Sequence, residues 1–232
     1  MSLITASGLC KKYQSGDITV EAIKDATFTI EQGSFVAFVG PSGSGKSTLL
    51  NMVGCLDTPS CGNLKVLDTD VSTLSQKEAA IFRGKNIGFV FQDFNLIPVL
   101  SAYENIEYPL IMVQDWPAEK RHARVMELLE AVGMTDQAQK QPGQLSGGQK
   151  QRVAVARALV TQSQLVLADE PTANLDSNTA HKVIDLMKEM REKFGTTFIF
   201  STHDAKVMAE AEITFTLVDG EIVNKSKEGA HV

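Results

Sequence analysis

Gly40-Pro41-Ser42-Gly43-Ser44-Gly45-Lys46-Ser47, entered through the apolar run Ser34-Phe35-Val36-Ala37-Phe38-Val39, is the stretch whose reading decides the fold. It fits G-x-x-x-x-G-K-[ST], the pattern of a phosphate-binding loop. Glycines let the backbone curl so that successive N–H groups point inward at an anion. A helix expected from Lys46 to Val53 adds the partial positive charge of its N-terminus. At this spacing Lys46 can reach the β- and γ-phosphates of a nucleotide, and the Ser47 hydroxyl can sit on Mg²⁺. A strand before and a helix after separate this motif from an ordinary glycine-rich turn. The loop alone says nucleotide, not which reaction.

Working outward, composition narrows the class. The chain has 232 residues, 43% hydrophobic and 22% charged, with a net charge of −6. That length buries a sizeable core and suits one large domain or one domain with an inserted lobe. The acidic balance argues against a nucleic-acid partner, which needs a basic stripe. No apolar run approaches the ~18 residues of a membrane span. Met1-Ser2-Leu3-Ile4-Thr5 lacks the basic start and long apolar core of a secretory signal. These features predict a cytoplasmic protein that works at a membrane only by docking on another chain. Cys10, Cys55 and Cys61 show no metal-binding spacing, so ordinary reduced cysteines are expected. The four histidines are scattered and make no metal cluster.

Periodicity places the elements. Thr27–Ile30 alternates as a half-buried strand, and 86–91 reads as another. The apolar runs 164–169 and 196–201 suit central strands covered on both faces. Residues 213–218 and 221–223 flank Asp219-Gly220, a hairpin turn. Helical stripes follow Pro117 (Val125, Leu128, Leu129, Val132), follow Ser146 (Val153, Val155, Ala156, Leu159, Val160), and run from Thr179 to Phe194, where Gly195 ends the last. The polar tail from Asn224 to Val232 is expected to fray. The order gives an α/β fold: a nucleotide-binding core from 1–93 and 155–232, and a helical subdomain from 94–154.

Two further stretches carry chemistry. Leu165-Val166-Leu167-Ala168-Asp169-Glu170 is an apolar strand ending in an acidic pair. Asp169 at its tip can hold Mg²⁺, and Glu170 can polarise the water that attacks a γ-phosphate. Leu145-Ser146-Gly147-Gly148-Gln149 precedes a helix, with Ser146 a natural N-cap and two glycines exposing backbone N–H groups. One γ-phosphate cannot fill two anion sites of one domain unless they face each other. Head-to-tail pairing of two copies satisfies both.

With these motifs together the chain resembles the ATP-binding subunit of an ABC transporter, over essentially its whole length. The resemblance implies a phosphate-loop NTPase fold: a RecA-like core sheet, an N-terminal antiparallel β part and an inserted α-helical subdomain. It implies that Gly40, Pro41, Ser42, Gly43, Ser44, Gly45, Lys46, Ser47 and Thr48 form the Walker A loop, and that Asp169 and Glu170 close Walker B. Ser146, Gly147, Gly148 and Gln149 fall in the LSGGQ signature. Gln92 matches the Q-loop glutamine on the metal, and Asp176 ends the D-loop Asn174-Leu175-Asp176. His203 matches the switch histidine, and Tyr13 the aromatic that stacks on adenine. Asn51–Asp57, Gly88–Gln92, Asn95-Leu96, Glu104-Asn105-Ile106 and Ala168–Asp176 are similar to the macrolide-exporter and lipoprotein-release group, whose members commonly carry Gly in place of Ala173.

What the resemblance implies is an ATPase with ATP and Mg²⁺ as cofactors. Its partners would be a second copy of itself and an integral membrane permease, with no nucleic acid. Its place would be peripheral, on the inner face of the cell membrane. The apolar stretch Phe94, Leu96, Ile97, Pro98, Val99 and Leu100 either packs inside the helical lobe or lines a groove for the permease. Rival readings are an ABC ATPase regulating cell-wall hydrolases, a soluble ABC ATPase without a transport role, and a phosphate-loop kinase. The Ser146 segment and His203 argue against the kinase.

Overall fold

Two strands of fourteen residues, β1 (Ser2–Ser15) and β2 (Ile18–Glu31), open the computed structural model and pair antiparallel. The structure describes residues 2–16 and 18–227. After β2 come β3 (Phe35–Val39), α1 (Lys46–Val53), β4 (Cys61–Val66), β5 (Thr69–Asp70), α2 (Gln76–Asn86) and β6 (Ile87–Val90). The helical stretch holds α3 (Ala102–Val113), α4 (Ala118–Ala131) and α5 (Gly147–Leu159). The chain closes with β7 (Leu165–Asp169), α6 (Ser177–Phe194), β8 (Thr197–Thr202), α7 (Ala205–Met208), β9 (Ile213–Val218) and β10 (Glu221–Lys227). These elements fall into two compact units, one drawn from residues 1–80 and 199–232, the other from 81–198.

The first unit stacks two sheets. One has the order β2-β1-β4-β5; the other runs β10-β9-β3-β8. From Ala26 to Ile30 every second residue of β2 is buried, the period of a sheet with one wet face. Its Phe28 meets Phe38 of β3 edge-on at 5.5 Å and lies 5.7 Å from Phe215 of β9. All five residues of β3 are buried, and it pairs in parallel with β9. Asp219 and Gly220, with φ of 48° and 84°, turn the β9–β10 hairpin with the left-handed pair such a tight turn demands. The expected fraying from Asn224 is corrected as far as Lys227: Asn224, Lys225, Ser226 and Lys227 pair with β9. The remainder of that tail lies outside the described residues.

A second correction concerns the cysteines. Cys10 and Cys61 are bonded to each other, with Cα atoms 5.1 Å apart, and Cys55 is a buried thiol outside that bond. They are register partners on antiparallel β1 and β4, a proximity that 51 residues of separation hide from sequence.

The second unit is built around α5, whose Val153, Ala154, Val155, Ala156 and Leu159 are buried. Strands β6 and β7 pair in parallel within it. Arg124 of α4 ties its helix to the end of α5 by donating to the carbonyls of Leu159 at 2.8 Å and Val160 at 3.4 Å. No helix among the described residues is long and apolar enough to cross a membrane.

Candidate nucleotide site

The phosphate loop sits at the end of β3 because that strand is buried on both faces and must leave the sheet at Gly40. Gly40 has φ 152°, and a Cβ there would lie 2.1 Å from the Leu217 carbonyl oxygen, so no side chain fits. The hairpin turn holds the loop from one side, Gly220 N–H donating to the Ser44 carbonyl at 3.1 Å. Lys46 opens α1, is 7% exposed, and donates to the carbonyls of Gly40 at 2.8 Å and Pro41 at 2.9 Å. An ammonium has three donors, so this clasp positions the charge across the loop with capacity for a phosphate oxygen. Ser42 and Gly43 are exposed at the loop's crest and Ser47 lies at the start of α1, with Thr48 next to it.

Two more expected residues lie in this unit. Tyr13 is 40% exposed near the end of β1 and its hydroxyl donates to Asp57 at 2.7 Å. His203 follows β8, the neighbour of β3, and is exposed ahead of α7, which Asp204 caps.

The second unit gathers the other motifs. Ser146 caps α5 in a capping box: its hydroxyl accepts from Gln149 N–H at 3.3 Å, and Gln149 Oε1 accepts from Ser146 N–H at 2.9 Å. The N–H groups of Gly147 and Gly148 belong to the first turn, which has no partner inside the helix. Such a turn offers donors and a positive dipole end to an anion. Gly148 packs closely here, since a Cβ would lie 2.5 Å from Thr179 Cγ2 of α6 and would push that side chain aside. Likewise a Cβ on Gly147 would lie 3.1 Å from Leu175 and 3.8 Å from the Phe94 ring. The segments after Gln92, around Ser146 and before Asp176 thus converge. Asn174 completes the junction by donating to the Gln92 carbonyl and the Asp93 carboxylate.

Asp169 ends β7, and Glu170 follows with φ 47°, a left-handed conformation unusual for glutamate. Strain of this kind concentrates where a side chain must be aimed. Asp176 caps α6, accepting from Thr179 N–H at 3.1 Å, and these hydrogen bonds hold its carboxyl below its usual range.

Sequence reasoning gave Arg157 no role. In the last turn of α5, it donates to the carbonyls of Phe94 at 2.8 Å and Asn95 at 2.5 Å, both left-handed residues. Burial pulls its guanidinium down to about 10, which leaves it charged at neutral pH. It also lines a cavity of about 260 Å³ with Phe89, Phe91, Pro109 and Val113. Asn105, 1% exposed, likewise organises the loop ahead of it, accepting from Ile97 N–H and donating to Ile97, Leu100 and Ser101 carbonyls.

A glycine-rich loop between a buried strand and a helix led by lysine, within mixed α/β sheets, defines a phosphate-loop nucleotide-binding domain. The ABC transporter family profile matches residues 23–173, and the chain belongs to that family. An ABC transporter ATP-binding protein of Thermotoga maritima is 42% identical, over 94% of this chain and 93% of its own length. The macrolide export ATP-binding/permease protein MacB of Brucella melitensis is 44% identical over 96% of this chain, which spans 34% of that relative. Among solved structures, the dimeric post-hydrolysis state of the ATP-binding cassette MJ0796 bound to ADP and Pi superposes with a TM-score of 0.89 at 41% identity, covering 98% of this chain and 100% of that one. The fold is that of an ABC ATPase, and the chain is an ATP-binding, ATP-hydrolysing cassette.

Proposed function

We propose that this cassette is the motor of an export-type transporter, closing as a head-to-tail pair on ATP and driving a membrane permease. The observation that carries this reading is the boxed helix start at Ser146, an anion-binding end additional to the phosphate loop. The relatives point the same way: MJ0796 is dimeric with ADP and Pi, and MacB joins such a cassette to a permease.

In the proposed site Lys46 and the loop N–H groups hold the β- and γ-phosphates, and Tyr13 stacks on adenine. Ser47, Gln92 and Asp169 offer oxygen donors only, the class Mg²⁺ prefers. Among the described residues no group of three or more His, Cys, Asp or Glu could hold a metal, so phosphate and water oxygens would complete its shell. The ion would neutralise charge on the phosphates. Glu170 polarises the attacking water, and His203 contacts the γ-phosphate. The partner copy supplies the Ser146 turn, with its own Asp176 loop alongside. ATP favours closure because its γ-phosphate makes contacts only the closed pair offers. The permease would present a helix to the apolar stretch of Phe94, Leu96, Ile97, Pro98, Val99 and Leu100, none of which is buried.

Mixing two inactive variants tests the pairing. Lys46→Ala and Ser146→Arg each remove one half of a composite site, and a mixed pair retains one complete site. Mixing should restore part of the turnover that each lacks alone; no recovery counts against composite sites. For the docking, Leu96→Asp should abolish co-purification with the permease while leaving turnover of the isolated cassette.

A further inference from the structure

The segment leaving α1 is stitched to the end of β1. Leu56 and Asp57 N–H donate to the Asn51 carbonyl, which ties the turn that ends α1, where Cys55 has φ 55°, back onto the helix that Lys46 begins. From there Asp57 reaches back to β1. Its carboxylate accepts from Tyr13 Oη at 2.7 Å and Lys11 Nζ at 2.5 Å, and from Thr58 N–H at 2.7 Å. Lys11 Nζ also donates to the Thr58 carbonyl at 2.8 Å and lies 4.9 Å from the centre of the Tyr13 ring. Lys12 N–H to Ser60 Oγ, Ser60 N–H to the Cys10 carbonyl, and the Cys10–Cys61 bond close the same seam.

This network defines the ring of Tyr13 in three ways. Its hydroxyl is anchored, one face is met by a cation, and the anchor sits in the turn tied to the C-terminal end of the phosphate-loop helix. We propose that Asp57 is a positioning residue for the base of the nucleotide: with Lys11 it fixes Tyr13 as a preorganised platform at a set distance from Lys46. The proposal rests on Tyr13 as the base-stacking aromatic. Base–aromatic stacking is a sizeable affinity term, and a ring already fixed loses little freedom when the base arrives. Partial burial opposes ionisation of Asp57, but the donors of Lys11, Tyr13 and Thr58 outweigh it and hold the carboxyl below its usual range. The anchor is therefore an anion at neutral pH, and its bonds are of the stronger, charge-assisted kind.

Inorganic tripolyphosphate, which has phosphates and no base, separates positioning from support of the fold. In full-length protein, Asp57→Ala and Asp57→Asn should weaken ATP binding about tenfold with tripolyphosphate binding unchanged. KM for ATP should rise while kcat stays within about twofold, and Asp57→Glu should recover part of the loss. Equal weakening toward both ligands, or none toward ATP, would overturn the proposal. Tyr13→Ala is measured in parallel. If that variant keeps its preference for ATP over tripolyphosphate, the stacking assignment itself fails; if it loses it while the Asp57 variants do not, only the role of Asp57 fails.

Discussion

Asn174 Nδ2 donates to the Gln92 carbonyl oxygen at 3.1 Å and to an Asp93 carboxylate oxygen at 2.8 Å, bridging 82 and 81 residues of sequence. Asn174 lies four residues beyond Glu170, and Gln92 lies directly after the stacked rings of Phe89 and Phe91. The bond therefore links a segment assigned to the partner copy with a segment assigned to the metal. Both groups are exposed, so Asn174→Ala should cost stability about 1 kcal/mol or less. ATP binding should be retained while turnover falls several-fold, read from thermal melting beside steady-state hydrolysis.

Glu170 is one carboxylate oxygen away from an amide. Glu170→Gln keeps the size of the side chain and its left-handed backbone, and removes only the ability to take a proton. Turnover should fall by at least about a hundredfold, the scale of one general base. ATP binding should persist, and light scattering should show a dimer with ATP and a monomer without it. Normal turnover in this variant would remove the assigned role.

Arg157 gives a stability prediction. Its guanidinium donates to two carbonyls in left-handed residues, and Arg157→Ala removes both bonds. Asn95 is exposed and Phe94 half-buried, so water replaces the lost donors and the expected loss is about 1–2 kcal/mol, the net worth of two hydrogen bonds. Arg157→Lys keeps the charge but presents a point donor in place of a planar fork. It should recover less than half of the loss in chemical denaturation.

Reduction of the Cys10–Cys61 bond should destabilise the first unit. Closing a loop of 51 residues of separation restricts the unfolded chain by about 4 kcal/mol on the loop-entropy account. Urea midpoints with and without a dithiol reductant measure the difference, and Cys10→Ser should reproduce the reduced value. Alkylation before reduction should label Cys55 alone, and only once the protein is unfolded, because that thiol is buried.

Local rules made much of this protein readable. Lys46–Val53 was legible from the phosphate-loop motif, Gly147–Leu159 from the cap at Ser146 and its apolar stripe, and Ser177–Phe194 from its stripe and the stop at Gly195. Three helices were not, among them α7, whose four residues are too few to show a period. No residue of α2 is buried, and its apolar residues Ala79, Ala80, Ile81 and Phe82 run consecutively rather than at helical spacing, so no stripe exists to see. Interior Pro109 disguised α3, although Ser101 and Glu104 at its start form a capping box that could have revealed it. The motif residues were legible because each type has few alternatives at its spacing. Asp57, Lys11 and Arg157 were not, because a carboxylate or a guanidinium shows no purpose until its partner is known.

By itself the sequence determined the phosphate loop, the acidic strand end and the boxed start at Ser146, since each is a contiguous pattern written in backbone requirements over a few residues. Only the tertiary structure decided which distant segments meet: Cys10 with Cys61, Tyr13 with Asp57, Arg157 with Phe94 and Asn95, Asn174 with Gln92. Those encounters depend on strand register and helix packing, which are settled by the burial of the whole core rather than by any neighbouring residue.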